Sequence, residues 1–219
     1  MLGEVIFYLI GTAGMIYILS ICQKKLGYDL KKCLLGGALI ALSSGICSVI
    51  LFEIENIHNS PCFGVSFYGS VLFNPLLLML AARIMKTKTS FFLDASAPAV
   101  CLMNTVMKIN CMIAGCCEGV VLSIAKNGKV TRFPSQIVEG AVSLAITVML
   151  IVMNEKKKLN GIVFPIFMIT YGFCRFWLNF LRETTPVMFG LAFGNIWSIV
   201  SVAAGTVWLL IALKKREKS

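Results

Sequence analysis

The sequence predicts an all-α, polytopic integral membrane protein with seven transmembrane helices. Three observations carry that prediction. The chain is 58% apolar and only 14% charged, with a mean hydropathy of +0.87, whereas soluble domains hold about 45–50% apolar and about 25% charged residues. Apolar runs recur along the whole sequence. Basic residues gather between alternate runs. This composition excludes a soluble globular protein, a disordered chain and a disulfide-stapled secreted module. A net charge of +10 would point to nucleic acid in a soluble protein. Here the charges lie between apolar runs, so they report membrane topology, and no nucleic-acid partner is expected.

Seven stretches can each cross about 30 Å of hydrocarbon as a helix that satisfies its own backbone. They are Val5–Cys22, Cys33–Phe52, Ser66–Met85, Phe91–Gly115, Gln136–Met153, Ile162–Leu181 and Phe189–Leu213. The third contains Asn74-Pro75, the fourth Ala97-Pro98 and the sixth Phe164-Pro165. Proline kinks a transmembrane helix without abolishing it, so all three are retained. The third is the weakest, because it opens on the polar or small residues Ser66-Phe67-Tyr68-Gly69. No soluble domain or internal repeat is visible, and residues 1–219 are expected to form one transmembrane domain. Met1-Leu2-Gly3-Glu4 has no basic residue ahead of the first run, so a cleavable signal is not expected.

Orientation follows from the short loops. One side carries Lys24, Lys25, Lys31, Lys32, Arg83, Lys86, Lys88, Lys156, Lys157, Lys158, Lys214, Lys215, Arg216 and Lys218, fourteen in all. The other side carries four: Lys126, Lys129, Arg132 and Arg182. The basic side is expected in the cytoplasm, with the N-terminus outside and the C-terminus inside.

Lys108 and Arg175 fall inside spans. A cation at the centre of a membrane helix costs at least about 2.5–3.5 kcal/mol on insertion scales, so each needs a partner. Two readings stay open. Both cations grip an anionic lipid headgroup, Arg175 by its bidentate fork and Lys108 as a point charge. Alternatively they snorkel to the interface, or pair with Asp94, Glu139 or another carboxylate. Glu139 itself reads either as part of a site or as an outer-surface carboxylate beginning a helix. Gln136, Asn179, Asn195 and Ser198 suit hydrogen bonds between helices, and Gly190-x-x-x-Gly194 suits close helix approach. Adjacent Cys116 and Cys117 chelate one zinc poorly, and histidines do not cluster, so no metal site is expected. A disulfide from Cys62 to Cys116 or Cys117 fits an oxidising exterior. The lone His58 lies in an outer loop.

The order of the motifs resembles the bacterial prolipoprotein diacylglyceryl transferase family. The resemblance runs from about Ser66 to Ser198. Ser66-Phe67-Tyr68-Gly69 is similar to the family's Ser-Phe-His-Gly, and Asp94-x-x-Ala97-Pro98 to its Asp-x-x-Ala-Pro. Lys108-Ile109-Asn110-Cys111, continuing to Gly115-Cys116-Cys117-Glu118-Gly119, resembles Arg-Ile-Gly-Asn-Phe-x-Asn-Gly-Glu-x-x-Gly. Phe133-Pro134-Ser135-Gln136-Ile137-Val138-Glu139 resembles His-Pro-Ser-Gln-x-Tyr-Glu. Tyr171-Gly172-x-x-Arg175-Phe176, followed by Phe180-Leu181-Arg182, resembles Tyr-Gly-x-x-Arg-Phe-x-x-Glu-Phe-x-Arg, with Asn179 in place of the glutamate. Gly190-Leu191-x-x-Gly194-Asn195-x-x-Ser198 resembles the last motif, which contains glutamine and serine. Both family histidines are replaced, by Tyr68 and Phe133.

The resemblance implies transfer of a diacylglyceryl group from phosphatidylglycerol to the lipobox cysteine thiol of a prolipoprotein signal peptide. It places the reaction at the outer face of a bacterial plasma membrane and implies no cofactor. Arg175, Lys108 and Tyr68 take the catalytic positions. Gly69, Asn110, Cys111, Cys116, Gly119, Gln136, Glu139, Tyr171, Asn179, Asn195 and Ser198 take substrate-binding ones. The alternative is a non-enzymatic protein on the same scaffold that binds or handles anionic membrane lipid.

Overall fold

The computed structural model describes residues 2–21, 28–57, 64–124, 130–156 and 159–217. His58 and Cys62, and with them the expected disulfide from Cys62, lie outside the described residues. Seven α-helices are present among those described: α1 (Leu2–Ile21), α2 (Leu30–Glu55), α3 (Asn74–Ile84), α4 (Thr89–Ala114), α5 (Ser135–Glu155), α6 (Val163–Asn179) and α7 (Phe193–Glu217). A short antiparallel hairpin, β1 (Val121–Ile124) with β2 (Val130–Arg132), lies between α4 and α5. The protein is an all-α membrane protein: α2, α4, α5 and α7 are long and apolar enough to cross a bilayer. Its outward faces carry large apolar side chains such as Leu9, Leu42, Leu80, Val148 and Leu210. An apolar surface so extensive suits hydrocarbon rather than water.

Each expected span corresponds to a helix, with shifted limits. The third is not uniform. A π-helical turn, Gly69–Phe73, precedes α3, and the Asn74 N–H donates to the Gly69 carbonyl five residues back. Pro75 follows at the start of α3. It has no N–H to give, so regular α pairing cannot run through this point. Gly69 serves a second need, since a Cβ there would stand 2.1 Å from the Cys47 carbonyl oxygen on α2. The last span begins at Phe193 rather than Phe189. Gly190 therefore lies in a turn, with φ +72°, and Gly190-x-x-x-Gly194 is not a helix-packing stripe.

Helix α4 packs against α1, α5 and α6, and α6 packs along α7. One end of the α4–α5–α6 group is organised by Asp94, a carboxylate only 1% exposed. Its side chain accepts the backbone N–H groups of Gly161, Val163 (3.0 Å) and Phe164 (3.3 Å). These are donors at the open N-terminus of α6, which has no partners within its own helix. Gly161, at φ +82°, takes the left-handed turn that brings its N–H to the carboxylate. The Asp94 carbonyl has a separate problem. Its helical donor would be residue 98, which is proline. The Asn154 side-chain amide of α5 donates to that carbonyl instead, at 2.8 Å. Asp94-x-x-x-Pro98 thus joins three helices at one residue.

Replacing Asp94 with alanine strands buried N–H groups at about 1–3 kcal/mol each. Detergent-solubilised Asp94→Ala should lose several degrees or more of thermal midpoint, with Asp94→Asn losing less. An unchanged midpoint for Asp94→Ala would contradict this capping role.

Candidate functional site

At the opposite end of the same three helices, Glu139 lies on α5, 3% exposed. The sequence allowed an outer-surface carboxylate here, and the structure buries it: residue 139 is about one turn into α5 and faces α4 and α6. Three cations converge on it. Lys108 of α4 pairs with one carboxylate oxygen and Arg175 of α6 with the other, both in close contact. Arg182, just after α6, reaches the second oxygen at 3.6 Å. Of the two readings of Lys108 and Arg175, the structure therefore shows the ion pair with Glu139. The cations do meet at one anion, and that anion belongs to the chain.

The sequence places Arg182 among the outer-loop charges and at the closing arginine of the family motif, without assigning it to the site. Its position comes from a clasp between the two loops at this end. The Val120 N–H donates to the Leu181 carbonyl and the Glu183 N–H to the Glu118 carbonyl, each at 3.1 Å. Arg132 fastens the clasp by pairing with Glu118 (2.9 Å) and Glu183. Gly119 is needed where the loops cross, because a Cβ would stand 2.2 Å from the Phe133 carbonyl oxygen.

Beside Glu139 and Arg175 lies a small crevice lined by Asn104, Ser143, Tyr171, Cys174 and Leu178. Asn104 stands four residues before Lys108 on the same face of α4 and donates to the Ser143 hydroxyl at 2.8 Å. Neither residue was singled out by sequence; the four-residue spacing from Lys108 was the available signal. Tyr171 stacks edge-on with Phe67 and Tyr68, at centroid distances of 4.9 and 5.7 Å.

Other predicted residues occupy a flanking layer. The Tyr68 hydroxyl hydrogen-bonds that of Ser198 on α7 at 2.6 Å. The Asn179 amide donates to Asn195 at 2.6 Å, and the Asn195 amide donates to the Phe176 carbonyl at 3.1 Å. Gly194 leaves room for this pair, since a Cβ there would meet the Asn179 side chain at 2.8 Å. These are the interhelical bonds expected of Asn179, Asn195 and Ser198. Gln136 turns to the loop and donates to the Cys116 carbonyl at 2.8 Å. Asn110 is buried but turned away from the cluster. Two residues beyond Lys108 is about 200° around the helix, and its amide oxygen lies 3.9 Å from a Cβ position on Gly3 of α1.

Cys111, in the last turn of α4, meets Cys116 and Cys117 of the following loop. The three sulfurs all lie within 4.8 Å of one another, and all three thiols are free. The Cys117 thiol is held well below its ordinary value by a hydrogen bond from Cys111, aided by the charges of Lys108 and Arg182. Partial desolvation and the neighbouring Cys117 push the Cys116 thiol up.

A buried carboxylate ringed by three cations, in an all-α membrane bundle, defines a membrane protein with an internal charged site at one end. The sequence profile of the prolipoprotein diacylglyceryl transferase family matches residues 5–211. The chain belongs to this family. It is 24% identical over 193 residues to the phosphatidylglycerol–prolipoprotein diacylglyceryl transferase of Clostridium tetani, covering 79% of this chain and 77% of that protein. It is 26% identical over 217 residues to phosphatidylglycerol–prolipoprotein diacylglyceryl transferase 2 of Clostridium perfringens, covering 88% and 84%.

Removing one partner of a buried ion pair costs about 3–5 kcal/mol, because the other charge stays buried. Glu139→Gln should therefore destabilise the protein strongly in a detergent denaturation series. Arg175→Met combined with Glu139→Gln should cost less than the two single losses added. Strict additivity in that double-mutant cycle would show that the two residues do not depend on each other.

Proposed function

We propose that this chain is a phosphatidylglycerol–prolipoprotein diacylglyceryl transferase of a bacterial plasma membrane. Its single domain would cross the membrane seven times, with the N-terminus outside. The carrying observation is the charge balance around Glu139. Three cations meet one carboxylate, so the cluster keeps a net positive charge in a site of low dielectric. That surplus attracts a phosphodiester and stabilises phosphate charge as it develops. Glu139 acts as a positioning residue, holding Arg175, Lys108 and Arg182 to one point. Arg175 and Arg182 can each offer a guanidinium fork to phosphate oxygens.

In the reaction, the acceptor thiolate sulfur attacks the glyceryl carbon that bears the phosphate. The C–S bond forms, the C–O bond breaks, and glycerol phosphate leaves with the electron pair. The thiol must first lose its proton, because the thiolate is the nucleophile. The second reading, a lipid-binding protein without catalysis, is favoured by one observation: Tyr68 and Phe133 stand where the family carries histidines.

Membranes holding the chain, labelled phosphatidylglycerol and a lipobox peptide separate these readings. The transferase reading expects thioether-linked diacylglycerol, loss of product in Arg175→Ala, and at least a tenfold drop in Arg175→Lys, since lysine lacks the planar fork. Lipid binding without any product would support the second reading. Reporter cysteines test the orientation. In a variant free of other cysteines, one placed at Ser123 should react with an impermeant reagent added outside, and one at Lys156 should not. The reverse pattern would refute an outside N-terminus.

A further inference from the structure

The three cysteines at the end of α4 are not adequately described as packing residues. Cys116 is exposed, and Cys111 and Cys117 are partly so, whereas an apolar role would bury them. Their convergence depends on an unusual backbone. Gly115 takes φ +67°, and Cys117, which carries a side chain, takes φ +60°. These two left-handed residues fold the chain back over Cys111, six positions earlier than Cys117. The fold-back is fixed from two sides. The N–H groups of Gly115 and Cys116 both donate to the Cys111 carbonyl. The Cys117 carbonyl accepts the Ser135 hydroxyl at 2.6 Å, and the Cys116 carbonyl accepts the Gln136 amide at 2.8 Å. A left-handed non-glycine residue is strained and persists only where its surroundings impose it. Here the first turn of α5 imposes it, and three sulfurs end up facing one another.

We propose that Cys111, Cys116 and Cys117 form a three-thiolate site for one soft d10 cation of the zinc type. Its fourth coordination position is left open for an exogenous thiol. Two sulfurs bound to one zinc at about 2.3 Å each stand no more than about 4.6 Å apart. Sulfurs already within 4.8 Å of one another need only close slightly. Adjacent cysteines were a poor chelating pair by spacing alone, and Cys111 with the left-handed turn changes that geometry. Three thiolates around a divalent ion carry one net negative charge. Lys108 and Arg182 lie on the Glu139 side of the cluster and offset it. Three protein ligands with a vacant fourth position are the pattern of reactive rather than purely structural zinc sites.

The vacant position gives the site a use that rests on the transferase reading. An acceptor thiol entering it binds as thiolate and releases its proton to water, because a metal deprotonates a coordinated thiol. Its sulfur pair then forms the C–S bond as the glyceryl C–O bond breaks and glycerol phosphate departs. The metal thus supplies the activation that an imidazole would otherwise provide.

The test uses the full chain in detergent, reduced with a phosphine and titrated with Co²⁺. One Co²⁺ per chain is expected, with intense thiolate-to-cobalt charge-transfer absorption that Zn²⁺ abolishes. Cys111→Ser, Cys116→Ser and Cys117→Ser should each weaken binding at least tenfold, since losing even an outer partner of a metal ligand costs about 10–100-fold. Cys33→Ser, in α2, should bind normally. Absence of the absorption, its persistence in a Cys111→Ser/Cys117→Ser double variant, or a disulfide that reforms among the three before metal binds would each overturn the site. A lipobox peptide should shift the cobalt spectrum, and its cysteine-to-serine analogue should not. Metal binding without lipid transfer would leave the site standing and reject the transferase reading. Transfer that is equally fast after chelation and in Cys116→Ser would reject the metal's part while leaving the transferase reading intact.

Discussion

Glu139 is the one carboxylate to which the rest of this end of the bundle answers. It carries its charge 3% exposed, in surroundings that penalise any ion without a close counter-ion. Lys108 and Arg175 are under the same penalty. None of the three is tolerable alone, and each comes from a different helix. Their pairing therefore sets the relative rotation of α4, α5 and α6. A helix turned by one residue would move its charge about 100° off the cluster. Arg182 extends the constraint to the loop after α6 and, through the strand-like clasp with Gly119, to the loop after α4.

Asp94 makes a complementary constraint at the far end. From Asp94 to Lys108 is 14 residues of α4, from Glu139 to Asn154 is 15 residues of α5, and from Val163 to Arg175 is 12 residues of α6. At 1.5 Å per residue these spans are about 21, 22 and 18 Å. Three helix segments of nearly matched length are thus tied by one carboxylate at each end. The two ties differ in kind. Asp94 accepts backbone N–H groups at the start of α6. Glu139 is met by side-chain cations in excess, which leaves a buried positive surplus around it.

Much of this was legible in the sequence. The apolar runs located the helices, and two cations inside those runs marked the charged site. What composition could not decide was whether the anion they meet is a lipid headgroup or a carboxylate of the chain. A glutamate in the fifth position of a helix reads equally well as a solvent-facing helix start and as a buried counter-ion, because both follow the same local pattern. Only the facing helices settle it. Helical phase explains other outcomes. Asn104 is in phase with Lys108 and lines the crevice, whereas Asn110 is not and faces α1. Gly190 and Gly194 share a spacing, yet the helix starts between them, so the spacing has no helical meaning. The role of Asn154 was out of reach, since it answers a carbonyl orphaned by a proline 56 residues earlier in the chain.

The cysteines were the hardest to read, and for a definite reason. Spacing rules for chelation assume the usual backbone on both sides of the ligands. Two consecutive residues with side chains rarely present both to one centre in an extended or helical chain, because successive side chains diverge. A left-handed residue at Cys117 removes that assumption, and nothing in its own side chain announces it. The cause lies 18 and 20 residues away, where Ser135 and Gln136 hold the carbonyls of Cys117 and Cys116. The motif around these two residues, Phe133-Pro134-Ser135-Gln136, has lost its histidine while keeping the serine and glutamine that shape the thiol turn. Tyr68, at the other vacated histidine position, is tied to Ser198 and stacks on Tyr171. Turning it toward the cations would break a buried hydrogen bond at about 1–3 kcal/mol. Imidazole chemistry is absent from both positions, and the reactive groups that lie beside the cations are sulfurs.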